Sequence, residues 1–213
     1  MLNKETDAIG LFHAALAFPL WIYEMLKPAK KPVPWMNAKA VRELSKLSGH
    51  GIRVFEYGSG SSTLYFLSRG CHTFSIEHDS DWHAKVAAMV NASAARTLLL
   101  VPPETRTALN SAFASQKKEF GGLAFERYVK SIDAHPDGYF DMVLVDGRAR
   151  AACARQAWPK IKPGGYLVYD NLERARYGDS FHEFTQGRHY SIKSGRLRGG
   201  SIVAQTGFVQ KEA

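Results

Sequence analysis

The strongest constraint on the fold is a regular alternation of short apolar runs with helix-like stretches through the middle of the chain. Arg53 to Tyr57, His72 to Glu77, Thr97 to Val101, Phe140 to Val145 and Tyr166 to Tyr169 read as strands. Ser61 to Ser68, Asp81 to Ala94 and Ala149 to Trp158 read as helices between them. Met142-Val143-Leu144-Val145 and Tyr166-Leu167-Val168-Tyr169 show no inside-outside alternation, as expected of strands covered by helices on both faces. Strands and helices alternating at this length predict a parallel, doubly wound α/β sheet. The chain ends differently. His189 to Lys193 and Ser201 to Val209 are strand-like and joined by a short Gly- and Arg-rich connection, so they must run antiparallel.

Asn37 is placed to cap a helix running to about Leu47, which Ser48-Gly49 closes. Lys162-Pro163-Gly164-Gly165 predicts a turn before the strand at Tyr166. The polar stretch from Glu104 to Gly138 is expected to hold one or two helices. Residues 28–34, Pro-Ala-Lys-Lys-Pro-Val-Pro, read as a linker that separates an N-terminal helical extension, 1–34, from the main domain, 35–213. Leu11 to Leu26 is apolar but shorter than a membrane span and is interrupted by His13, Pro19 and Glu24. It is expected to be a helix lying over the site or pairing with a second copy in a homodimer, so that removing residues 1–30 abolishes turnover or dimerisation. No membrane span is expected.

The chemistry centres on Val54-Phe55-Glu56-Tyr57-Gly58-Ser59-Gly60-Ser61-Ser62-Thr63, where the first strand meets a helix. Glycines there let a ligand approach the backbone, and open parallel sheets bind ligands beyond the carboxyl ends of their strands. Glu77, at the end of the second strand, is spaced to accept ribose hydroxyls. Glu56 would repel the pyrophosphate of a dinucleotide but suits a ligand carrying an ammonium and a sulfonium. The third glycine of the dinucleotide fingerprint is replaced by Thr63.

These motifs resemble the class I S-adenosylmethionine-dependent methyltransferases. Glu56-Tyr-Gly-Ser-Gly-Ser is similar to their glycine-rich first motif and Ser75-Ile-Glu77-His-Asp to the acidic second. Phe140-Asp-Met-Val-Leu-Val-Asp146 resembles the fourth-strand motif and Lys162-Pro-Gly-Gly-Tyr-Leu-Val the approach to the fifth strand. The resemblance spans Trp35 to Asn171, and the terminal hairpin is similar to the family's sixth and seventh strands. It implies a Rossmann-like fold: seven strands, mostly parallel, with an antiparallel C-terminal hairpin and flanking helices. More narrowly, Gly-Ser-Gly-Ser-Ser-Thr, Ile-Glu-His-Asp and Val-Asp-Gly-Arg resemble a bacterial branch whose substrate is unsettled.

Carried over residue by residue, the resemblance implies that S-adenosylmethionine contacts Glu56, Gly58, Ser59, Gly60, Ser61 and Ser62 near its methionine portion. Glu77 would hold the ribose, His78 would lie near the adenine with Trp82 available to stack, and Asp146 would border the sulfonium. Asp146, Arg148, Asp170 and Asn171 are the candidate catalytic residues. Asp146 with Asp170-Asn171 resembles the metal-binding set of the catechol O-methyltransferase group. That group's lysine base is replaced here by Ala149, between Arg148 and Arg150, so a divalent metal is conceivable but not favoured. Arg148 and Arg150, with Arg174 and Arg176, offer a grip for an acidic acceptor.

The implied reaction is methyl transfer to oxygen or nitrogen of a small or carbohydrate-like molecule. RNA is an alternative acceptor, because the net charge is +8 and the basic excess falls late in the chain. A nicotinamide-dependent oxidoreductase and a non-catalytic cofactor-binding protein are the other readings. No Asn/Asp-Pro-Pro-aromatic and no Cys-Pro follows the fourth strand, which disfavours methylation of a flipped base. Two isolated cysteines, Cys71 and Cys153, suit a reducing cytoplasm better than a disulfide framework.

Overall fold

The computed structural model describes residues 32–90, 96–197 and 201–213. The apolar segment Leu11 to Leu26 and most of the linker lie outside them. Among the described residues no helix is long and apolar enough to cross a membrane.

Helix α1 (Ala38–Leu47) begins where expected, with Asn37 Oδ1 accepting the Ala40 amide at 3.0 Å. Strand β1 (Arg53–Tyr57), helix α2 (Ser61–Ser68), strand β2 (His72–Glu77), helix α3 (Ser80–Met89) and strand β3 (Arg96–Leu100) follow in order. Asp79 caps α3: its carboxylate accepts the Trp82 amide at 2.8 Å, so the helix starts at Ser80, one residue before the expected start, and it runs to Met89.

Between 104 and 138 one of the one or two expected helices is present, with single 3-10 turns around it. A two-stranded ribbon, β4 (Glu104–Thr105) with β5 (Leu123–Ala124), leads into the five-residue helix α4 (Glu126–Lys130). Strand β6 (Phe140–Val145), helix α5 (Arg150–Ala157) and strand β7 (Ile161–Tyr169) restore the alternation. Helix α6 (Ala175–Thr185) and the hairpin β8 (Tyr190–Arg196) and β9 (Val203–Gln210) complete the chain.

Seven strands form one sheet in the order β3-β2-β1-β6-β7-β9-β8. The first five are mutually parallel, while β9 runs antiparallel to both β7 and β8. Because successive side chains point to opposite faces, the sheet feeds two cores. Phe55, Tyr57, Val143, Val145, Leu167 and Tyr169 pack with α4, α5 and α6. Val54, Met142, Leu144, Val168 and Phe208 pack with α1 and α2.

The predicted turn at Lys162 to Gly165 is instead a bulge inside β7, marked by a register shift opposite Phe140 to Met142. Gly164 supplies φ +76° there. A Cβ on Gly165 would come within 2.8 Å of the Asp141 carbonyl, so only glycine fits.

Asn37 also ties the two ends of the domain together. Its fully buried amide donates to the carbonyls of Lys193 at 2.9 Å and Ala204 at 3.2 Å, one in each strand of the hairpin. The N37A variant loses the cap and leaves both carbonyls without this donor. It should lose about 2 kcal/mol, read as a lower urea midpoint at unchanged slope; an unchanged midpoint would show that water replaces these bonds without loss.

Candidate cofactor site and cleft

The carboxyl ends of β1, β2, β6 and β7 meet at one edge of the sheet and bring together nearly all the residues singled out from the sequence. Gly58 follows β1 with φ +96°, and a Cβ there would lie 3.0 Å from Gly147 Cα. Gly147 is equally confined: a Cβ would fall 2.0 Å from the Tyr128 hydroxyl and 3.0 Å from the Tyr57 carbonyl. Two glycines thus let the loops after β1 and β6 touch backbone to backbone.

The loop amides are committed to the protein. Gly58 N donates to the Ile76 carbonyl at 2.9 Å, Ser59 N to Glu77 Oε2 at 3.0 Å, and Gly60 N to Thr63 Oγ1 at 2.9 Å. Thr63, which departs from the dinucleotide fingerprint, therefore joins the loop to the strand beneath it, accepting from Gly60 and donating onward to Glu56.

Glu56 lies beneath the loop on the α1–α2 face, completely buried. Its carboxyl accepts hydrogen bonds from the hydroxyls of Ser62, Thr63 and Ser75. Burial pushes its pKa up to about 7 against the pull of those three hydroxyls. Ser62 is thereby turned towards Glu56, while Ser61 Oγ accepts the Trp35 amide at 3.1 Å.

Glu77 is 3% exposed and holds the other side of the loop. Besides Ser59 N, its carboxylate accepts the amides of His78 at 2.7 Å and Asp79 at 3.0 Å, and His78 Nδ1 lies 2.6 Å away. Burial raises its pKa, but the His78 contacts and backbone donors outweigh burial and keep it below the usual range. Trp82 is half-buried over the same loop, its indole N–H donating to the Ser59 carbonyl at 2.7 Å.

At the ends of β6 and β7 the expected trio of Asp146, Asp170 and Asn171 is present, and a guanidinium lies among them. Arg150, 3% exposed, donates to the carbonyl of Gly147 at 3.1 Å and to that of Asp146 at 2.8 Å. It also reaches the Asp146 carboxylate at 2.7 Å, Asn171 Oδ1 at 2.9 Å and the Asp170 carbonyl. Its guanidinium carbon lies 4.5 Å from the centre of the Tyr177 ring.

The carboxylate of Asp170 points elsewhere, accepting from Thr206 Oγ1 at 2.6 Å. Burial, then the neighbouring Asp146 charge, push its pKa to about 7. Among the described residues no group of three His, Cys, Asp or Glu side chains is arranged to hold a metal. The trio does not fit a divalent ion, because Arg150 already supplies the positive charge and Asp170 is turned away. Arg150 is likewise unavailable for the acceptor grip expected of it.

Among the described residues two other than glycine carry positive φ, Ala149 at 46° and Asn171 at 62°, and both sit at this edge. Such backbone persists only where its surroundings over-determine it, and the Arg150 network does so from both sides. Arg148 is half-buried. Its Nε is 3.3 Å from His78 Nε2, and its guanidinium lies over the Phe120 ring at 5.0 Å, which brings the 104–138 insert to this edge of the sheet. Sequence reasoning missed Tyr177, although the spacing of Tyr177, Phe181 and Phe184 is helical.

No family model matches the chain, and no curated protein matches it. Solved structures do. A methyltransferase-like protein of Silicibacter pomeroyi is 19% identical, with a TM-score of 0.55 covering 86% of this chain and 91% of that one. A tRNA methyltransferase of Aquifex aeolicus is 11% identical at TM-score 0.55, covering 90% and 76%. Aeropyrum pernix fibrillarin, solved with S-adenosyl-L-methionine, is 13% identical at TM-score 0.52, covering 76% and 67%.

The chain has the class I methyltransferase fold. The strand order, the reversed last strand and the glycine loop after β1 all belong to that architecture. Within this methyltransferase fold, the site residues above occupy the strand ends where ligands of open α/β sheets bind.

Proposed function

We propose that this protein binds S-adenosylmethionine and transfers its methyl group to an oxygen or nitrogen of a small or carbohydrate-like acceptor. The observation that carries the reading is the occupied loop. The amides of Gly58, Ser59 and Gly60, which a dinucleotide-binding loop would turn towards pyrophosphate, are all engaged inside the protein, and two buried carboxyls flank them. Such a loop disfavours a phosphate and suits a ligand with a ribose, an amino acid portion and a positive centre.

Glu77 would hold the ribose, with Trp82 and His78 beside the adenine. Gly58, Ser59, Gly60, Ser61 and Ser62 would line the methionine portion, with Glu56 fixing their shape from below. When bound, the cofactor supplies a methyl group already activated at sulfur. The protein's part is then to position the acceptor in line with it. Asp146, held by Arg150 and 32% exposed, would take a proton from the acceptor. Two buried, unpaired cysteines fit work in the cytoplasm.

Calorimetric titration separates the readings. S-adenosylhomocysteine should bind in the micromolar range while NAD does not. Absence of binding at millimolar S-adenosylhomocysteine, with NAD bound instead, would overturn the proposal in favour of an oxidoreductase. Tight binding with no labelled product from pooled extracts would favour the non-catalytic reading.

A further inference from the structure

Four arginines gather where β6 and β7 end, and the structure divides them sharply. Arg150 is buried, with its donors distributed over carbonyl and side-chain oxygens, so it belongs to the scaffold. The others keep donors open. Arg148 makes one long hydrogen bond, to His78. Arg174 is 43% exposed and comes no closer than 3.7 Å to Glu173 through Nε, while that carboxylate also accepts the Gln205 amide. Arg176 lies 4.7 Å from the Tyr177 ring centre, and its buried Nε has no hydrogen-bond partner among the described residues.

Their fields converge. Arg174 and Arg148 both act on the Asp146 carboxyl, and Arg148 and Arg176 both act on the Tyr177 hydroxyl and on Glu119. Burial alone would raise the tyrosine's pKa, but Arg150, contact with Arg176 and the Arg148 charge bring it below the ordinary range. A buried guanidinium donor left without a partner, as at Arg176 Nε, is costly unless a ligand completes the site.

We propose that Arg148, Arg174 and Arg176 form an anion subsite, and that the methyl acceptor is a small molecule bearing a carboxylate or phosphate near its reacting atom. This rests on the methyltransferase reading, since it names the acceptor class of the same cleft. The planar, forked guanidinium matches both anions. A nucleic acid would call for cations strung along a surface to follow successive phosphates. Here the three act on shared groups, Asp146, Tyr177 and Glu119, and Arg148 lies against Phe120 of the insert.

The test uses the full chain loaded with S-adenosylhomocysteine and titrated at low salt with inorganic phosphate, benzoate and neutral benzamide. At least one anion should bind while benzamide does not. R174Q and R176Q should each weaken that anion about tenfold or more while S-adenosylhomocysteine affinity stays within about twofold. Equal anion affinity in wild type and both variants, or no binding of either anion by a protein that does bind S-adenosylhomocysteine, would overturn the subsite. So would binding of single-stranded RNA with a steep salt dependence and no affinity for the small anions. Failure to bind S-adenosylhomocysteine at all would instead sink the methyltransferase reading beneath it.

Discussion

The R150M variant should lose about 3–5 kcal/mol of stability, the largest effect expected of any single substitution at the cleft. Methionine keeps much of the aliphatic packing but removes every donor. The carbonyls of Asp146, Gly147 and Asp170 and the side chain of Asn171 would lose their shared partner, and the Asp146 carboxylate its counter-charge. R150K should be intermediate, because an ammonium is a single point of charge that cannot span so many acceptors. The strained backbone at Ala149 and Asn171 would lose the network that fixes it. Urea unfolding provides the measurement, with R155M, on the exposed side of the same helix, expected to change stability by less than about 0.5 kcal/mol. A loss below about 1 kcal/mol in R150M would show that water fills the space and that the guanidinium is dispensable.

The second large effect is on pH dependence. The Glu56 carboxyl keeps its proton up to about 7 in the folded protein, against an ordinary value of 4.5. Between those values the folded state binds more protons than the unfolded chain, so stability falls as pH rises. The contribution is fully present below the unfolded value and is lost as pH passes through about 7. It amounts to about 3 kcal/mol. Asp170 acts in the same direction, raised from 3.8 to about 7 by burial and by Asp146. Thermal or urea midpoints between pH 5 and pH 8 should therefore decline on the alkaline side in wild type. E56Q, which cannot titrate, should flatten part of that decline, and D170N another part. A wild-type midpoint that climbs steadily across this range would contradict the assignment.

Much of the frame is legible in the sequence because its signals are local. Asn37 before Ala38, the uninterrupted apolar runs of β6 and β7, and Gly58 between strand and helix each impose their structure through a few neighbouring atoms. What the sequence hides depends on contacts between distant segments. The α3 cap falls at Asp79 because two aspartates stand close together and the Trp82 amide selects the first. The β7 bulge reads as a turn because Pro163-Gly164-Gly165 carries turn chemistry, while the pairing of Gly165 with Lys211 is long-range. Helix α6 is obscured because Gly178 and charged residues dilute its apolar stripe. At the site, residue types are readable but their directions are not. Glu56 and Ser62 face each other instead of standing free, and Arg150 is a scaffold residue, a fact that no spacing reveals.

A guanidinium built into the floor of the cleft also separates two kinds of inheritance. The gap between the ends of β6 and β7 is fastened from within by a covalently attached cation, so it does not depend on ion supply or on what enters from above. The 104–138 insert and the arginines at the start of α6 can accumulate substitutions without disturbing that floor. Descendants of this sequence should therefore diverge in what the insert and these arginines bind while Arg150, Gly58 and Gly147 stay fixed together.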